Sequence, residues 1–178
     1  TKEMLNDVNS MQSMLDEFLA FAKTKAIEET TLVNPIELIK SIVNSNCKVF
    51  PNIQLIVRGS NQKSTKIALR KSIFERAIQN LIENGTNFGS KILISVDLSK
   101  TYLFISIEDN GPGIESKDRA AALKPFARLD QSRNQDKHSG VGLGLSIALD
   151  NIRNQGGNLL LGHSNELGGL KVKITIPL

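Results

Sequence analysis

The 178 residues include no Trp, one Tyr and seven Phe, an aromatic content of 4%. So few flat side chains argue against recognition of single-stranded nucleic acid by base stacking, which needs a platform of rings. Cys47 is the only cysteine. An intrachain disulfide and a metal site built from several thiolates are therefore excluded, and a reducing compartment is compatible. No apolar run approaches the eighteen or so residues of a membrane span, and no signal peptide is visible. No G-x-x-x-x-G-K-[ST] string is present, which excludes a P-loop, and Gly142-Leu-Gly144 lacks the third glycine of a dinucleotide fingerprint. The two histidines, His138 and His163, stand beside no Ser or Cys nucleophile pattern. A net charge of +4 and a pI near 9.2 invite a nucleic-acid reading. The basic residues are scattered, however, with no run of five, and a solvated surface with some phosphate-facing cations is the preferred reading.

What is present suffices for one domain with an appendage: hydrophobic residues make up 40% of the chain. The sequence begins with Thr and is read as a piece of a longer chain, which leaves an upstream membrane span open. Residues 3–27 predict one helix, because Met4, Val8, Met11, Leu15, Phe18 and Ala22 form a heptad seam. No second helix of this pattern follows, so the seam is expected to pack on a helix outside this sequence or on a second copy. Asn34-Pro35-Ile36-Glu37 reads as a capping box opening a helix to about Asn46. Asn52–Arg58 alternates as a strand. Residues 70–88 predict a helix with the core stripe Ile73, Phe74, Ala77, Ile78, Leu81 and Ile82. Lys91–Leu98 and Tyr102–Glu108 predict a hairpin turning at Ser99-Lys100-Thr101, and residues 115–124 a short helix. The polar stretch 127–139 has no period, and strands are expected at about 158–163 and 170–177. The sum is an α/β (α+β) fold: a two-layer sandwich of a mixed, mostly antiparallel sheet of about five strands, covered by helices and preceded by one long helix.

Three segments could carry chemistry. Ser139-Gly-Val-Gly-Leu-Gly-Leu-Ser146 opens a helix (Leu145, Ala148, Leu149, Ile152) that ends at Gly156-Gly157. Glycines there let backbone N–H groups approach an anion, and the helix end adds partial positive charge. Asn80, Asn84 and Asn87 lie at i, i+4 and i+7 on the helix 70–88. Asn is a poor helix former, and a merely solvated face would use Lys, Glu or Gln instead. Three carboxamides on one stripe point to a ligand, and a carboxamide oxygen suits Mg²⁺. Glu108-Asp109-Asn110-Gly111-Pro112-Gly113-Ile114 is a turn at a strand end. Asp109, acceptor-only when ionised, could take a hydrogen bond from the exocyclic amine of adenine, with Gly111 and Gly113 letting backbone pass close to the base. Each segment alone also has a plain structural reading as a turn, a chance cluster or a helix start.

In their order and spacing these motifs resemble the catalytic ATP-binding domain of bacterial sensor histidine kinases, within the wider family that includes gyrase and mismatch-repair ATPases. The N box would be Arg76–Phe88, the G1 box Asp109–Gly113, the F box Lys124-Pro-Phe-Ala-Arg128 and the G2 box Gly140–Leu145. The detailed pattern is most like the osmosensor-type kinases. The resemblance covers residues 34–178, and residues 1–30 look like the second helix of a dimerisation and phosphoacceptor domain whose first helix is absent. It implies that Asn84 binds Mg²⁺ with Asn80 in support and Asn87 further along the nucleotide, and that Asp109 binds adenine beside Gly111 and Gly113. Residues 127–139 would be an ATP lid anchored by Phe126, with Arg128, Arg133 and Lys137 neutralising phosphates. Gly140, Gly142, Gly144 and Leu145 would present backbone to the triphosphate. The implied reaction is in-line transfer of the γ-phosphoryl of Mg-ATP to a histidine.

The resemblance also implies a cytoplasmic domain of a parent compatible with an inner-membrane anchor. Its partners would be a phosphoacceptor helix, supplied upstream or by another chain, a response regulator and a second copy of the full-length protein, but no nucleic acid. The family's hydrolases carry a general-base Glu four residues before the metal-binding Asn. Here that residue is Asn80, which favours transfer to a separate acceptor. The sequence departs from the family in two places. Asn84-Gly-Thr-Asn87-Phe88 stands where Asn-Ala-x-Lys/Arg-Tyr is usual, which removes a cation and weakens the helix by roughly 1 kcal/mol at Gly85. No His-Glu/Asp-x-x-x-Pro acceptor motif exists, so no catalytic histidine lies in this chain. Alternative readings are a degenerate ATP-binding or dimerisation module, a serine kinase of the anti-sigma-factor type, and a DNA binder that is salt-sensitive and indifferent to ATP.

Overall fold

A computed structural model describes Val8, Gln12 and residues 28–58, 65–127 and 142–178. Val8 and Gln12 are helical. The rest of the helix expected over residues 3–27 lies outside the described residues, as do Arg128, Arg133, Lys137 and Gly140.

Among the described residues the elements run β1 (Thr31–Val33), α1 (Pro35–Cys47), β2 (Ile53–Arg58), β3 (Ile67–Leu69), α2 (Lys71–Phe88), β4 (Ile92–Leu98), β5 (Tyr102–Asp109), α3 (Arg119–Ala122), α4 (Gly144–Asn154), β6 (Asn158–His163) and β7 (Leu170–Pro177). Five strands form one sheet in the order β2-β4-β5-β7-β6. Only β2 and β4 are parallel; the β4–β5, β5–β7 and β6–β7 pairs are antiparallel. The mixed, mostly antiparallel sandwich expected from the sequence is thus the observed fold.

Alternation decides which face of the sheet is covered. Leu103, Ile105 and Ile107 of β5 sit opposite Ile176, Ile174 and Val172 of β7 and join the buried core. Tyr102 and Phe104, on the other face, keep 43% and 41% of their surface exposed. Helices α1, α2 and α4 lie over the apolar face, with α2 in contact with α1, α4, β4 and β5. The predicted stripe of α2 is buried throughout, and Phe74, Ala77, Ile78 and Ile82 are fully enclosed. Each such large side chain contributes on the order of 1.5–3 kcal/mol of burial, which offsets the three Asn and one Gly that weaken α2 as an isolated helix.

Local chemistry sets the helix starts. Asn34 Oδ1 accepts from the backbone N–H groups of Ile36 (3.0 Å) and Glu37 (3.2 Å), with Pro35 at the first position, as the capping motif predicts. The residue at the start of α2, Arg70, supplies no side-chain cap. Glu28 does so instead: its carboxylate accepts from Ser72 N (2.8 Å) and Ile73 N (3.1 Å). Burial pushes the Glu28 carboxyl up, but these bonds and the charge of Arg70 outweigh it and hold the group below the usual glutamate value. The segment before residue 34 is therefore tied to the start of α2, and β1 adds to this by pairing with β3. The sequence pattern did not announce that two-stranded sheet, whose strands are three residues long. The helix expected over 115–124 is reduced to the four residues Arg119–Ala122, since Asp118 gives it no side-chain cap and only Ala122 is buried. A single turn with so little burial does not propagate.

Candidate functional site

Helix α2 carries the asparagine stripe between the two glycine-bearing segments. Gly85 lies against the end of β5: a Cβ added there would meet Ile92 Cδ1 at 3.0 Å and Asp109 Cβ at 3.7 Å. Gly144, the first residue of α4, would meet the carbonyl of Asn80 at 3.8 Å. Five residues at 1.5 Å each separate Asn80 from Gly85, so the two segments abut α2 about 7–8 Å apart along its axis. The fold thus brings together motifs that are more than twenty residues apart in the chain. Asn80 and Asn84 are half-buried and Asn87 is exposed. The Asn80 Nδ2 atom is itself buried without a hydrogen-bond partner, a costly state for an amide that faces no ligand.

Glu83 is exposed and accepts from Gln79 Nε2 (2.9 Å), which in turn pairs with Asn46 of α1. That acid is held on the α1 side of α2 and is not aimed with Asn84.

Asp109 ends β5 with 5% of its surface exposed. Its Oδ1 accepts from Gly111 N (2.8 Å) and from Leu170 N at the start of β7 (3.1 Å), and its carbonyl accepts from Gly169 N (3.1 Å). Burial raises the Asp109 carboxyl above the ordinary aspartate range, against the lowering effect of the Gly111 and Leu170 amides. A side chain on Gly111 would strike the carbonyl of Phe88 at 2.8 Å, and Gly113 adopts φ +71°, so both positions require glycine for the turn to form. Asn110 ties the same turn to the end of α2: its Oδ1 accepts from Ser90 N (2.7 Å) and Lys91 N (2.8 Å).

The β6–β7 turn was not singled out from the sequence, yet it forms one wall of this site. A Cβ on Gly169 would collide with the carbonyl and carboxylate of Asp109 and lie 2.6 Å from Gly111 N. Gly168-Gly169 beside a strand start was the available signal, but a glycine pair reads as an ordinary turn until its partner is known.

The glycine-rich segment is built differently. Gly142 has φ +78°, and a Cβ there would meet the Ala127 carbonyl at 2.6 Å and Phe126 C at 3.1 Å. Phe126 itself has φ +62°, unusual for a side-chain-bearing residue. Phe126 is 60% exposed, and the close approach of Gly142 here is to backbone. Leu145 packs against the core, while Leu143 and Ile147 form a small buried pair. Helix α4 opens with no side-chain cap at its N-terminus, and the Ser146 hydroxyl donates to the Leu143 carbonyl (2.9 Å). The donors at the head of α4 are thus backbone N–H groups.

Among the described residues there is no cluster of three His, Cys, Asp or Glu side chains that could hold a metal, and no helix is long and apolar enough to cross a membrane. Asn80 and Asn84 could offer only neutral oxygens, which suit a hard cation that arrives with its own anionic ligands.

Residues 70–178 match the family model of the histidine kinase-, DNA gyrase B-, and HSP90-like ATPases. The chain is 32% identical over 105 residues to the sensor histidine kinase CpxA of Escherichia coli K12, covering 58% of this chain and 22% of CpxA. It is 28% identical over 181 residues to the sensor protein RstB of the same strain, covering 97% of this chain and 40% of RstB. It therefore spans well under half the length of these relatives. Its fold is similar to the histidine kinase domain of the E. coli osmosensor EnvZ, with a TM-score of 0.61, 26% identity, and coverage of 85% of this chain and 89% of that one.

Proposed function

The chain belongs to the histidine kinase-, DNA gyrase B-, and HSP90-like ATPase family, and from that premise we propose that it is the ATP-binding catalytic part of a sensor histidine kinase, delivering the γ-phosphoryl of ATP to a histidine on another segment or chain. Residues 34–178 would form this domain, and residues 1–30 the second helix of a dimerisation and phosphoacceptor unit. A response regulator would receive the phosphoryl group next, and the full-length protein would be a cytoplasmic-facing dimer.

The observation that carries the reading is the state of Asp109. Both amides that reach its carboxylate go to Oδ1, from Gly111 and Leu170. Among the described residues Oδ2 is the oxygen left to accept an amine. A buried, oriented carboxylate rewards a ligand that donates there and penalises one that presents a carbonyl, which separates adenine from guanine. Gly111 and Gly113 let the base lie against backbone. About one and a half turns along α2, the amides at the head of α4 (Gly142, Gly144 and Leu145) suit the phosphates. Phe126 and residues 127–139, with Gly140, Arg128, Arg133 and Lys137, would close over them.

Mg²⁺, when bound, would offset charge on the phosphates, with Asn84 as its protein ligand and Asn80 in support. Asn87, exposed at the end of the stripe, offers a phosphate a neutral contact where a cation is usual in the family. Transfer rather than hydrolysis is supported by Asn80 in place of a general base and by the engagement of Glu83 with Gln79. Catalysis here is positioning and charge neutralisation, and its nucleophile comes from elsewhere.

Titration calorimetry with ATP and GTP, with and without Mg²⁺, tests this on the chain and on Asp109→Asn. Adenine-selective binding that the variant loses by about tenfold or more supports the site. A transphosphorylation assay with an acceptor helix on a separate polypeptide then tests the chemistry. A folded chain that binds no nucleotide removes the kinase reading.

A further inference from the structure

Glu108 precedes Asp109 on β5 and points to the opposite face of the strand, yet only 4% of its surface is exposed. A buried carboxylate is costly unless every oxygen is engaged, and here both are. Oε1 receives Lys171 Nζ at 2.6 Å and Ser106 Oγ at 3.3 Å, and Oε2 receives Ser164 Oγ at 2.7 Å. Ser164 is fully buried at the end of β6, where the chain turns toward β7.

Nothing in the nucleotide reading uses this cluster, but Ser164 is the hub of the β6–β7 turn. Its carbonyl accepts from Gly168 N (2.9 Å), its N–H donates to the Gly169 carbonyl (2.9 Å), and its Oγ accepts from Leu167 N (2.9 Å). The turn held this way delivers Gly169 N to the Asp109 carbonyl and Leu170 N to Asp109 Oδ1. Two adjacent acids therefore grip one turn from opposite faces of β5.

We infer that Glu108 and Ser164 are positioning residues for base selection: they pin the β6–β7 turn so that Gly169 and Leu170 hold Asp109 with Oδ2 free for the amine of the base. This rests on the assignment of Asp109 as the adenine-selecting group. The chain of contacts is continuous, from Glu108 Oε2 to the Ser164 hydroxyl, through the Ser164 backbone to Gly169, and on to Asp109. Lys171 sits opposite Glu108 in the β5–β7 register and neutralises it from the more open side. Ser164 makes the directional bond. Without it Glu108 would still be paired, but the turn would lose its side-chain tether to β5 and rest on the Asp109 contacts alone.

The test compares Glu108→Ala, Glu108→Gln and Ser164→Ala with the unaltered chain by two measurements. The first is amide hydrogen exchange at Gly169 and Leu170 without nucleotide; the second is ATP and GTP affinity by calorimetry. Ser164→Ala and Glu108→Ala are expected to speed exchange at both amides by about tenfold. They should weaken ATP binding about five- to tenfold while GTP binding changes by less than about twofold. Glu108→Gln keeps an acceptor for the Ser164 hydroxyl and should recover most of the selectivity, which loss of fold stability alone would not do. Unchanged exchange, an unchanged ATP-to-GTP ratio in a folded variant, or Glu108→Gln as damaging as Glu108→Ala would each overturn the inference. If Ser164→Ala does not fold, the two Glu108 variants decide. An unaltered chain that binds neither nucleotide would sink the role of Asp109, and selection by the pin with it. The exchange data would separately report whether the pin holds the turn.

Discussion

The turn at the end of β5 and the head of α4 both bring glycine-bearing backbone against α2, but they are held in different ways. The first is fixed from several sides. Asn110 binds the backbone after α2, the β6–β7 turn donates to Asp109, and Gly85 lets α2 come close. The second rests on the approach of Gly142 to Ala127 and on the positive φ of Phe126, whose ring is exposed. A base has one fixed shape and hydrogen-bonding edge, so a prebuilt wall selects it at little cost in ordering. On the proposed function the head of α4 would receive phosphates, which need amides and positive charge rather than a matched outline and so require less support.

The sharpest break is Gly169→Ala. Its Cβ has no space between the carbonyl and carboxylate of Asp109 and Gly111 N. The expected cost is about 3 kcal/mol, seen as a fall in Tm of roughly 6–12 °C, with loss of preference for ATP over GTP. A thermal scan and a nucleotide titration check both. Gly142→Ala should cost about 2–3 kcal/mol, since its side chain would combine a positive φ with a clash against the Ala127 carbonyl at 2.6 Å. It should weaken ATP and GTP alike; a change in their ratio would erase the distinction between the two regions.

The smallest effect expected is on pH dependence, where the neighbours Glu108 and Asp109 differ in sign. Burial pushes Glu108 up, but Lys171, Ser164 and Ser106 outweigh it and hold the carboxyl low. Its contribution is present above the unfolded glutamate value of about 4.3 and is lost as pH falls through the lower folded value. Asp109 is raised, chiefly by burial. The folded state therefore holds that proton more tightly, and stability falls as pH rises from about 3.9 to the raised folded value. Tm measured against pH should show the acid-side loss reduced in Glu108→Gln. Asp109→Asn should lack the second decline and be at least as stable as its parent near neutral pH. ATP affinity of the unaltered chain should begin to drop on acidification above the ordinary aspartate value, as Asp109 gains its proton.

Much of the fold was legible because it is written in local periods. The stripe of α2 and the alternation of β4, β5, β6 and β7 each place apolar residues on one face, and the strand limits for 158–163 and 170–177 agree with the structure. The asparagine stripe, Asp109 and the glycine positions were legible because Asn in a helix, a carboxylate after a strand and Gly at a helix head each run against local preference. Glu28 at the start of α2, the short β1–β3 pair and the grip of Ser164 on Glu108 were not legible, since they join residues 34 to 56 positions apart. No local pattern encodes such a meeting.

By itself the sequence determined the longer helices and the five strands of the main sheet, which faces are apolar, and which residue types could meet a nucleotide. Those follow from side-chain spacing and backbone preference within a dozen residues. Only the tertiary structure decided that Asp109 is buried, that its Oδ1 is taken by Leu170 and Gly111, and that Glu108 faces Lys171 and Ser164. Those outcomes depend on strand order and on one turn reaching across the sheet, and a carboxylate owes its orientation and proton affinity to the atoms packed around it.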